Sequence, residues 1–302
     1  MKELIILSGK GGTGKTSVTA AFATLASTQG KAVFADCDVD AADLHLIFSP
    51  AIKESVPFIS GHVARVPTTN ATVLDREQGE HAQSLCRFEA ISYSPETELS
   101  IDEGSCEGCG VCYRFCPPGS VEFVDRRCGE RYISSSRFGP VVHAALDTRA
   151  ENSGKLVTAV RKEAKRIAEE TGAQWLIVDG SPGIGCPVIA SITGCDAALI
   201  VTEPTVSGKN DLERLATLVH HFKIPFYVCV NKADIHLELS GEIRQWCERN
   251  NIPFVGEIPY DRDITRAQIQ GLSIIEYQKE KEVAVVTNAI VEIWEKICQL
   301  NQ

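Results

Sequence analysis

The sequence predicts an α/β protein with a mostly parallel sheet, helices on both faces of that sheet, and a small inserted α+β domain. Three observations lead to this fold class. Short continuous apolar runs alternate with helical patterns, as in sheets that are covered on both faces. A glycine-rich loop joins the first apolar run to the first helical pattern. A cysteine-rich stretch later interrupts the alternation.

The apolar runs and helical patterns define the expected elements. Strands are expected at residues 4–7, 32–35, 175–178, 198–201, 226–230 and 253–255. Helices are expected at residues 16–27, 156–167, 209–221 and 282–300. The last helix has an apolar stripe and a nearly neutral polar face, which favours packing on the domain over binding to a membrane.

A change in composition and hydrophobic patterning indicates an inserted domain. Between about residues 57 and 137 the apolar runs give way to short polar pieces with Gly, Pro and Cys. We therefore expect an α/β domain over residues 1–56 and 138–302, and an inserted domain over residues 57–137.

Composition and charge exclude several classes of protein. With 30 Lys+Arg against 40 Asp+Glu, the net charge of −10 argues against a nucleic-acid binder. No apolar run approaches the roughly 18–20 residues that span a bilayer, so no stable membrane anchor is expected. The N-terminal apolar run is too short for a signal peptide. We expect a cytoplasmic protein, in which the 12 cysteines serve a purpose other than disulfides.

The loop after the first strand carries a phosphate-binding motif. Residues Gly9 to Thr16 read G-x-x-x-x-G-K-T between a predicted strand and a predicted helix, which is the context that the motif requires. Backbone amides of such a loop close around phosphate oxygens. Lys15 is expected to reach the β and γ phosphates, and the Thr16 hydroxyl to hold Mg²⁺. Nucleotide contacts are expected from Gly11, Gly12, Thr13, Gly14, Lys15, Thr16 and Ser17.

Carboxylates follow two of the predicted strands. Asp36 and Asp38 lie at the end of the second strand, and Asp179 ends a later strand before a Gly-Ser-Pro-Gly turn. Asp38 can orient the attacking water, and the turn after Asp179 can sense the γ phosphate. For Asp40 and Asp43 the sequence leaves open whether the carboxylate acts at the site or caps a helix.

These motifs together resemble the MinD/ParA/nitrogenase-iron-protein superfamily. The loop, with its second lysine Lys10, is similar to the deviant Walker A loop of that group, and the segments at Asp36 and Asp179 resemble its switch I and switch II. The resemblance implies an ATPase that forms a sandwich dimer, either with itself or with a paralogue. Lys10 then contacts the nucleotide of the opposite subunit. The catalytic roles fall on Lys10, Lys15, Asp38 and Asp179.

The resemblance also implies a site for the base of the nucleotide. It assigns base contacts to Asn231, Pro259 and Asp261. The segment from Asn231 to Asp234 has the N-K-x-D pattern of a guanine reader. In this superfamily the Asn position serves adenine, so ATP and ADP are expected in preference to GTP.

The cysteine-rich stretch contains a ferredoxin motif. Residues Cys106 to Pro117 read C-x₂-C-x₂-C-x₃-C-P, the bacterial run for a [4Fe–4S] cluster. A zinc site is the alternative, although zinc sites usually have paired C-x₂-C units separated by a longer span. The chain thus resembles superfamily ATPases with an inserted ferredoxin domain, which normally carry two such runs.

Here the first of the two runs is degenerate. Cys86 parallels Cys116, but the positions that parallel the other three cysteines hold Arg76, Gly79 and Ala82. One cluster is therefore expected to be missing.

The remaining cluster has two possible fourth ligands. In two-cluster ferredoxins the fourth Cys of each run ligates the other cluster, which favours Cys86 over the local Cys116. The ligands are then Cys86, Cys106, Cys109 and Cys112.

The other cysteines fall into two groups. Cys186 lies just beyond the Asp179 turn, where the nitrogenase iron protein has a cysteine that helps to bridge a cluster across its dimer. A small residue at a helix start is the other interpretation of Cys186. Cys128 is expected not to be a ligand. The remaining cysteines are expected to be buried small hydrophobes: Cys37, Cys195, Cys229, Cys247 and Cys298.

The sequence therefore predicts an Mg²⁺-dependent ATPase that holds one [4Fe–4S] cluster. Its nucleotide state is expected to control one of two processes. The first is ATP-gated electron transfer, and the second is the assembly of iron–sulfur clusters or metal cofactors. The redox or iron–sulfur partner protein is unknown. Carrier ATPases of the superfamily have a C-terminal C-x-x-C, which this sequence lacks. The alternatives are a non-redox positioning ATPase with a structural cluster, and a scaffold whose turnover is too slow to matter.

Overall fold

A computed structural model describes residues 1–69, 71–96, 98–148, 153–281 and 284–300. Contacts between Cα atoms divide the chain into two compact units. The first unit comprises residues 1–56, 130–146 and 152–302, and the second comprises residues 57–129 and 147–151. The second unit and the expected insert both begin at residue 57. Their ends differ, because a single strand runs unbroken across residue 130.

The elements follow one another in an α/β order. The strands are β1 (Lys2–Ser8), β2 (Ala32–Asp36), β3 (Ala51–Arg65), β4 (Ile91–Ser94), β5 (Glu98–Ile101), β6 (Glu122–Ser136), β7 (Gly139–Leu146), β8 (Trp175–Pro182), β9 (Ala197–Thr202), β10 (Phe226–Asn231) and β11 (Phe254–Ile258). The helices are α1 (Lys15–Gln29), α2 (Leu44–Phe48), α3 (Arg76–Ser84), α4 (Val111–Phe115), α5 (Ser153–Thr171), α6 (Cys186–Ile192), α7 (Val206–His221), α8 (Leu237–Arg249), α9 (Arg262–Ile269), α10 (Ile274–Tyr277) and α11 (Val285–Leu300).

The main sheet confirms the predicted fold class. Its strand order is β11-β10-β9-β1-β8-β2-β7-β6-β3, and the pairs that join β11 through β7 are parallel. The central strands are apolar along their whole length because both faces are covered. In β1, for example, Leu4 to Leu7 are fully buried. The carboxyl ends of β1, β2, β8, β9 and β10 therefore lie at one edge of this sheet.

One strand end differs from the prediction. The strand was expected to end at Asp179, but β8 continues through Pro182, and Pro182 pairs with Ser8 of β1. Gly180 permits this extension. A Cβ atom there would lie 2.7 Å from the Leu7 side chain and 2.8 Å from the Ile6 carbonyl oxygen. The segment expected to be a flexible turn is thus partly held in the sheet.

The C-terminal helix packs on the first unit. Val286, Ile290, Ile293 and Ile297 of α11 are buried in the core. Trp294 contacts Phe22 and Trp175 with ring centroids 5.0 Å apart in both pairs. This packing confirms the predicted use of the apolar stripe. Glu282 and Val283, which the sequence assigns to the same helix, lie outside the described residues. No helix in the described ranges is long and apolar enough to cross a membrane.

The second unit contains a helix and a hairpin that its apolar pattern did not predict. Strands β4 and β5 pair antiparallel, and α3 starts with a capping box between Asp75 and Gln78. Arg76, Gly79 and Ala82, the positions of the lost ligands, all lie on α3. A Cβ atom on Gly79 would lie 2.3 Å from the Tyr93 ring. A regular helix thus covers the three positions that parallel the motif cysteines, and the Tyr93 ring packs against one of them.

Candidate functional site

The loop between β1 and α1 requires glycine at two positions. Gly14 has a φ of +91°, and a Cβ atom there would lie 2.2 Å from Nδ2 of Asn231. A Cβ atom on Gly9 would lie 2.4 Å from Cβ of Asp211. Helix α7, which carries Asp211, and the end of β10 thus approach the loop so closely that a side chain does not fit at either position.

A cavity of about 460 Å³ opens above this loop in the first unit. It is lined by most of the predicted nucleotide-site residues: Gly11, Gly12, Thr13, Gly14, Lys15, Thr16, Ser17, Asp38, Asn231 and Asp261. Pro259, Lys10 and Asp179 are not among its lining residues. Asp43, whose role the sequence left open, also lines the cavity, and its side chain makes no capping hydrogen bond to α2. The sequence did not assign Pro182, Tyr260, Ile264 or Gln268 to the site, and all four line the cavity.

Lys15 lies at the centre of a buried charged cluster. Its Nζ atom is 2.8 Å from Oδ1 of Asp179 and 3.6 Å from Oδ2 of Asp38. The Thr16 hydroxyl donates to Oδ2 of Asp179 at 2.8 Å, and the Thr19 hydroxyl donates to Oδ1 at the same distance. Burial works to lower the pKa of Lys15, but the surrounding carboxylates outweigh it and raise the pKa. Lys15 is therefore a full positive charge beside the phosphate loop.

Asp36 shapes the segment that carries Asp38. One carboxylate oxygen of Asp36 accepts the Asp38 amide at 3.0 Å, and the other accepts the Leu44 amide at 3.2 Å. Asp36 is fully buried and pairs in register with Asp179. Burial, and then the charge of Asp179, raise the pKa of Asp36 to about 8. The pKa of Asp38 is also raised by burial, against the opposing effect of Lys15.

The second lysine of the loop is bound within its own chain. Lys10 Nζ lies 2.6 Å from Oε1 of Glu203 and donates to the Ser207 hydroxyl at 2.9 Å. Glu203 also accepts from Lys232 at 3.1 Å, and Lys232 donates to the Gly12 carbonyl at 2.9 Å. Burial works to raise the pKa of Glu203, but the hydrogen bonds and charges of the two lysines outweigh it and lower the pKa. Glu203 thus ties both lysines to the end of β9, a contact that the sequence analysis missed.

The residues assigned to the base make structural contacts. The buried amide of Asn231 donates from Nδ2 to the Thr13 carbonyl at 2.7 Å. Asp261 accepts the Asp263 amide at 2.8 Å at the start of α9. Asp234 accepts the Tyr260 amide at 2.6 Å. Asn231 therefore stabilises the phosphate loop through the Thr13 carbonyl, while the exposed Tyr260 lines the cavity.

Backbone contacts connect the ends of β2 and β8. The Cys37 amide donates to the Asp179 carbonyl at 2.8 Å, and the Ser181 hydroxyl donates to the Cys37 carbonyl. Beyond this connection the exposed Cys186 begins α6. The two predicted switch segments are therefore hydrogen-bonded to each other at the point where their carboxylates converge.

A second candidate site lies within the second unit. Its small cavity is lined by Cys86, Cys106, Cys109 and Cys112, and Cys116 is not a lining residue. Cys116 is buried in the core of that unit, as are Cys106 and Cys112. The four predicted ligands thus share one cavity.

Backbone amides point at two of these sulfurs. Cys106 Sγ accepts from the Ala64 amide at 3.4 Å and from the Gly108 amide at 3.5 Å. Cys86 Sγ accepts from the Ala90 amide at 3.4 Å. Such donors stabilise negative charge on sulfur and tune iron–sulfur clusters. Cys86, although distant in sequence, therefore has the same kind of environment as a cysteine of the motif.

The thiols of the cysteine cavity do not converge on a site for a single ion. Within the described residues, no group of three or more Cys, His, Asp or Glu could hold one metal ion. In a cubane each thiolate binds a different iron, so the sulfurs surround a space instead of converging on a point. Burial raises the pKa of Cys112 to about 11, so this thiol needs a metal to displace its proton at neutral pH.

The remaining cysteines are placed largely as predicted. Cys37, Cys195, Cys229 and Cys247 are buried, which confirms their structural interpretation, and Cys298 is half-buried. Cys128 donates its thiol hydrogen to the Ser60 carbonyl at 3.2 Å and does not line the cysteine cavity.

Comparison with known proteins connects these sites to a family. The model of the CobQ/CobB/MinD/ParA nucleotide binding domain matches residues 4–274. Uncharacterized protein MJ0578 of Methanocaldococcus jannaschii is 29% identical over 297 residues, which cover 98% of this chain and 96% of that protein. MJ0579 of the same organism is 24% identical over 286 residues, or 92% of this chain and 94% of that one. The iron-sulfur cluster carrier protein of Pyrococcus horikoshii is 26% identical over 158 residues, about half of each chain.

Solved structures share the fold at low identity. The cell division ATPase MinD of Pyrococcus furiosus has a TM-score of 0.58 at 17% identity, covering 99% of both chains. MinD of Pyrococcus horikoshii, complexed with Mg-ADP, has the same TM-score and identity over 99% of this chain and 96% of that one.

The fold and the loop at its centre define a P-loop nucleotide-binding protein. With the family match over residues 4–274, the chain belongs to the CobQ/CobB/MinD/ParA family and is a P-loop ATPase of the MinD/ParA type.

Proposed function

We propose that the protein is an Mg²⁺-dependent ATPase in which ATP-driven dimerisation controls electron transfer through one [4Fe–4S] cluster in the second unit. The observation that carries the proposal is the presence, in one chain, of the phosphate loop around Lys15 and a cavity lined by four cysteines. Lys15, Cys106 and Cys112 are buried, and hydrogen bonds or ion pairs orient Lys15, Cys106 and Cys86.

The nucleotide site assigns roles to its charged residues. ATP phosphates would bind to the loop amides and to Lys15, whose positive charge is maintained by neighbouring carboxylates. Mg²⁺ would be held by Thr16, and the hydroxyl of Thr16 is oriented by its 2.8 Å hydrogen bond to Asp179. Asp38, 3.6 Å from Lys15, is placed to orient the attacking water. Adenine is the proposed base, with Tyr260 added to the predicted contacts.

Dimer formation would use Lys10. In one chain Lys10 is neutralised by Glu203, so it can act on a second nucleotide only after leaving that carboxylate. The partner would be a second copy or a paralogue. The two nearly full-length relatives in Methanocaldococcus jannaschii support the paralogue, since one organism has two such chains.

The cluster site favours Cys86 as the fourth ligand. Cys86 shares the cavity with the motif cysteines and accepts an amide hydrogen bond, whereas Cys116 does not line that cavity. Bound iron would supply a one-electron redox centre. All twelve cysteines are free, which fits the reducing cytoplasm that we propose as the location.

Iron–sulfur assembly is a second candidate. The partial similarity to the iron-sulfur cluster carrier protein of Pyrococcus horikoshii favours it. The burial of Cys106 and Cys112, and the amide hydrogen bonds to Cys106 and Cys86, favour a retained cluster instead, and hence electron transfer. Incubation with an apo-ferredoxin separates the two: a retained cluster that is reduced reversibly supports electron transfer, and its quantitative loss to the acceptor supports assembly.

Anaerobic purification with iron and sulfide counts tests the proposal. We expect about four irons and four sulfides per chain, together with Mg²⁺-dependent ATP turnover that Lys15→Ala abolishes. A protein that contains zinc and no sulfide, or whose turnover survives Lys15→Ala, would overturn it.

A further inference from the structure

The motif helix of the second unit exposes two aromatic rings. Tyr113 is 55% exposed and Phe115 is 66% exposed. Both lie on α4, whose five residues rise by about 6 Å and include the ligand Cys112. Aromatic residues are enriched in the energetically dominant centres of protein interfaces and are costly to leave in water.

The Tyr113 ring is held near the cluster loop. The Tyr113 ring stacks on Phe123 at 5.8 Å, and Phe123 stacks on His62 at 4.8 Å. The cluster loop passes close to the same group, since a Cβ atom on Gly108 would lie 2.2 Å from the His62 carbonyl oxygen. Tyr113 is therefore oriented by packing, as an interface residue that binds without large loss of entropy should be.

The segment that contains Cys106, Cys109 and Cys112 is acidic, with Arg87 and Arg114 at its two borders and Arg126 donating to the Cys106 carbonyl at 2.9 Å. From residue 88 to residue 113 there are six Asp and Glu and no Lys or Arg. Glu103 and Glu107 in this segment are exposed, and Glu107 lines the cysteine cavity beside the exposed Cys109. A four-thiolate cluster would add further negative charge.

We propose that Tyr113, Phe115, Glu103 and Glu107 form the docking face for a small electron-carrier protein with an apolar patch surrounded by Lys and Arg. The inference rests on the proposed function, because it needs a cluster to deliver or accept the electron. Aromatic contact at the centre gives affinity, and the acidic rim steers a basic partner toward Cys109. Such a contact is small and short-lived, as redox encounters are.

The test follows electron transfer from the reduced, cluster-loaded full chain to oxidised cytochrome c, a small basic haem protein, by stopped-flow absorption. We expect Phe115→Ser, and Glu103→Gln with Glu107→Gln, to lower the second-order rate constant at least about threefold at low salt. The glutamate variants should also flatten its salt dependence. The control variants are Val73→Ser and Glu77→Gln, exposed positions of the same unit that should leave the rate unchanged.

A small dye oxidant separates docking from damage to the cluster, because a dye needs no docking face. Its reduction rate, and the iron count, should be the same in Phe115→Ser and in the control variants. The cytochrome c rate of the glutamate variants is divided by their own dye reduction rate, so that a change in the cluster is not counted as a change in docking. Equal cytochrome c rates in docking-face and control variants would overturn the docking inference while the cluster stands. A wild-type chain without iron and sulfide would overturn the proposed function itself.

Discussion

Glu203 gives a direct test of how Lys10 is restrained. In the Glu203→Gln variant the side chain keeps its size but can no longer neutralise Lys10 at 2.6 Å or Lys232 at 3.1 Å. The three side chains are 14–33% exposed, so each ion pair contributes about 0.5–1 kcal/mol after solvent screening. A dimer of two such chains releases one Lys10 from each subunit, so the two Lys10–Glu203 pairs oppose dimerisation by about 1–2 kcal/mol per dimer.

If Lys10 must leave Glu203 before it binds the nucleotide of a second subunit, this energy opposes dimerisation. The dissociation constant of the ATP-bound dimer should then fall roughly 5–30-fold in Glu203→Gln. Sedimentation velocity with a non-hydrolysable ATP analogue and Mg²⁺ measures it. The advantage of the variant should shrink at high salt, since the lost pairs are partly exposed.

Glu242→Gln is the matched control, because it breaks a similar 2.6 Å pair with Lys209 away from the loop. We expect its dimer affinity to match the wild type. A Glu203→Gln dimer that is no tighter than the Glu242→Gln dimer would refute the assignment of Glu203 as the restraint on Lys10.

Three further predictions concern other parts of the chain. Gly14→Ala should abolish ATP binding in a calorimetric titration, because its Cβ would lie 2.2 Å from the Asn231 amide at a φ of +91°; retained affinity would contradict this geometry. Cys86→Ala should lose the cluster's visible absorption and iron while Cys116→Ala keeps both, and the opposite result would make Cys116 the ligand. Burial lowers the pKa of His143 to about 4, so the free energy of unfolding should fall as the pH drops from about 6.5 to 4, by at most about 3 kcal/mol. Chemical denaturation of the His143→Phe variant over the same pH range should show a smaller fall. An equal fall would contradict the attribution of this pH dependence to His143.

Sequence patterns were enough to predict those parts of the site whose residues lie close together in the sequence. The phosphate loop needs glycines, a lysine and a threonine at fixed spacing, and all of these lie within eight residues. The carboxylates could also be placed, because the carboxyl ends of neighbouring parallel strands meet at one edge of the sheet. Asp38 and Asp179 accordingly both lie within 3.6 Å of Lys15.

Contacts between distant segments could not be predicted. Asn231 has the sequence of a base reader, but its amide binds a loop carbonyl 218 residues away. Glu203 follows a strand like many other acidic residues, and its two lysines meet only when β1 and β10 pair with the two sides of β9. In the second unit, the helices and strands are short and polar, so their sequences show no hydrophobic periodicity from which they could be predicted. The capping box at Asp75 and Gln78 was the available signal for α3.

The central claim is that the nucleotide site and the cluster act on each other. The most direct measurement is ATP turnover by the anaerobically purified protein with the cluster oxidised and with it reduced, alongside Cys106→Ala, which should hold no cluster. We predict that turnover differs between the two redox states in the wild type and does not respond to reductant in Cys106→Ala. Equal turnover in both states of a fully loaded wild-type protein would contradict the claim.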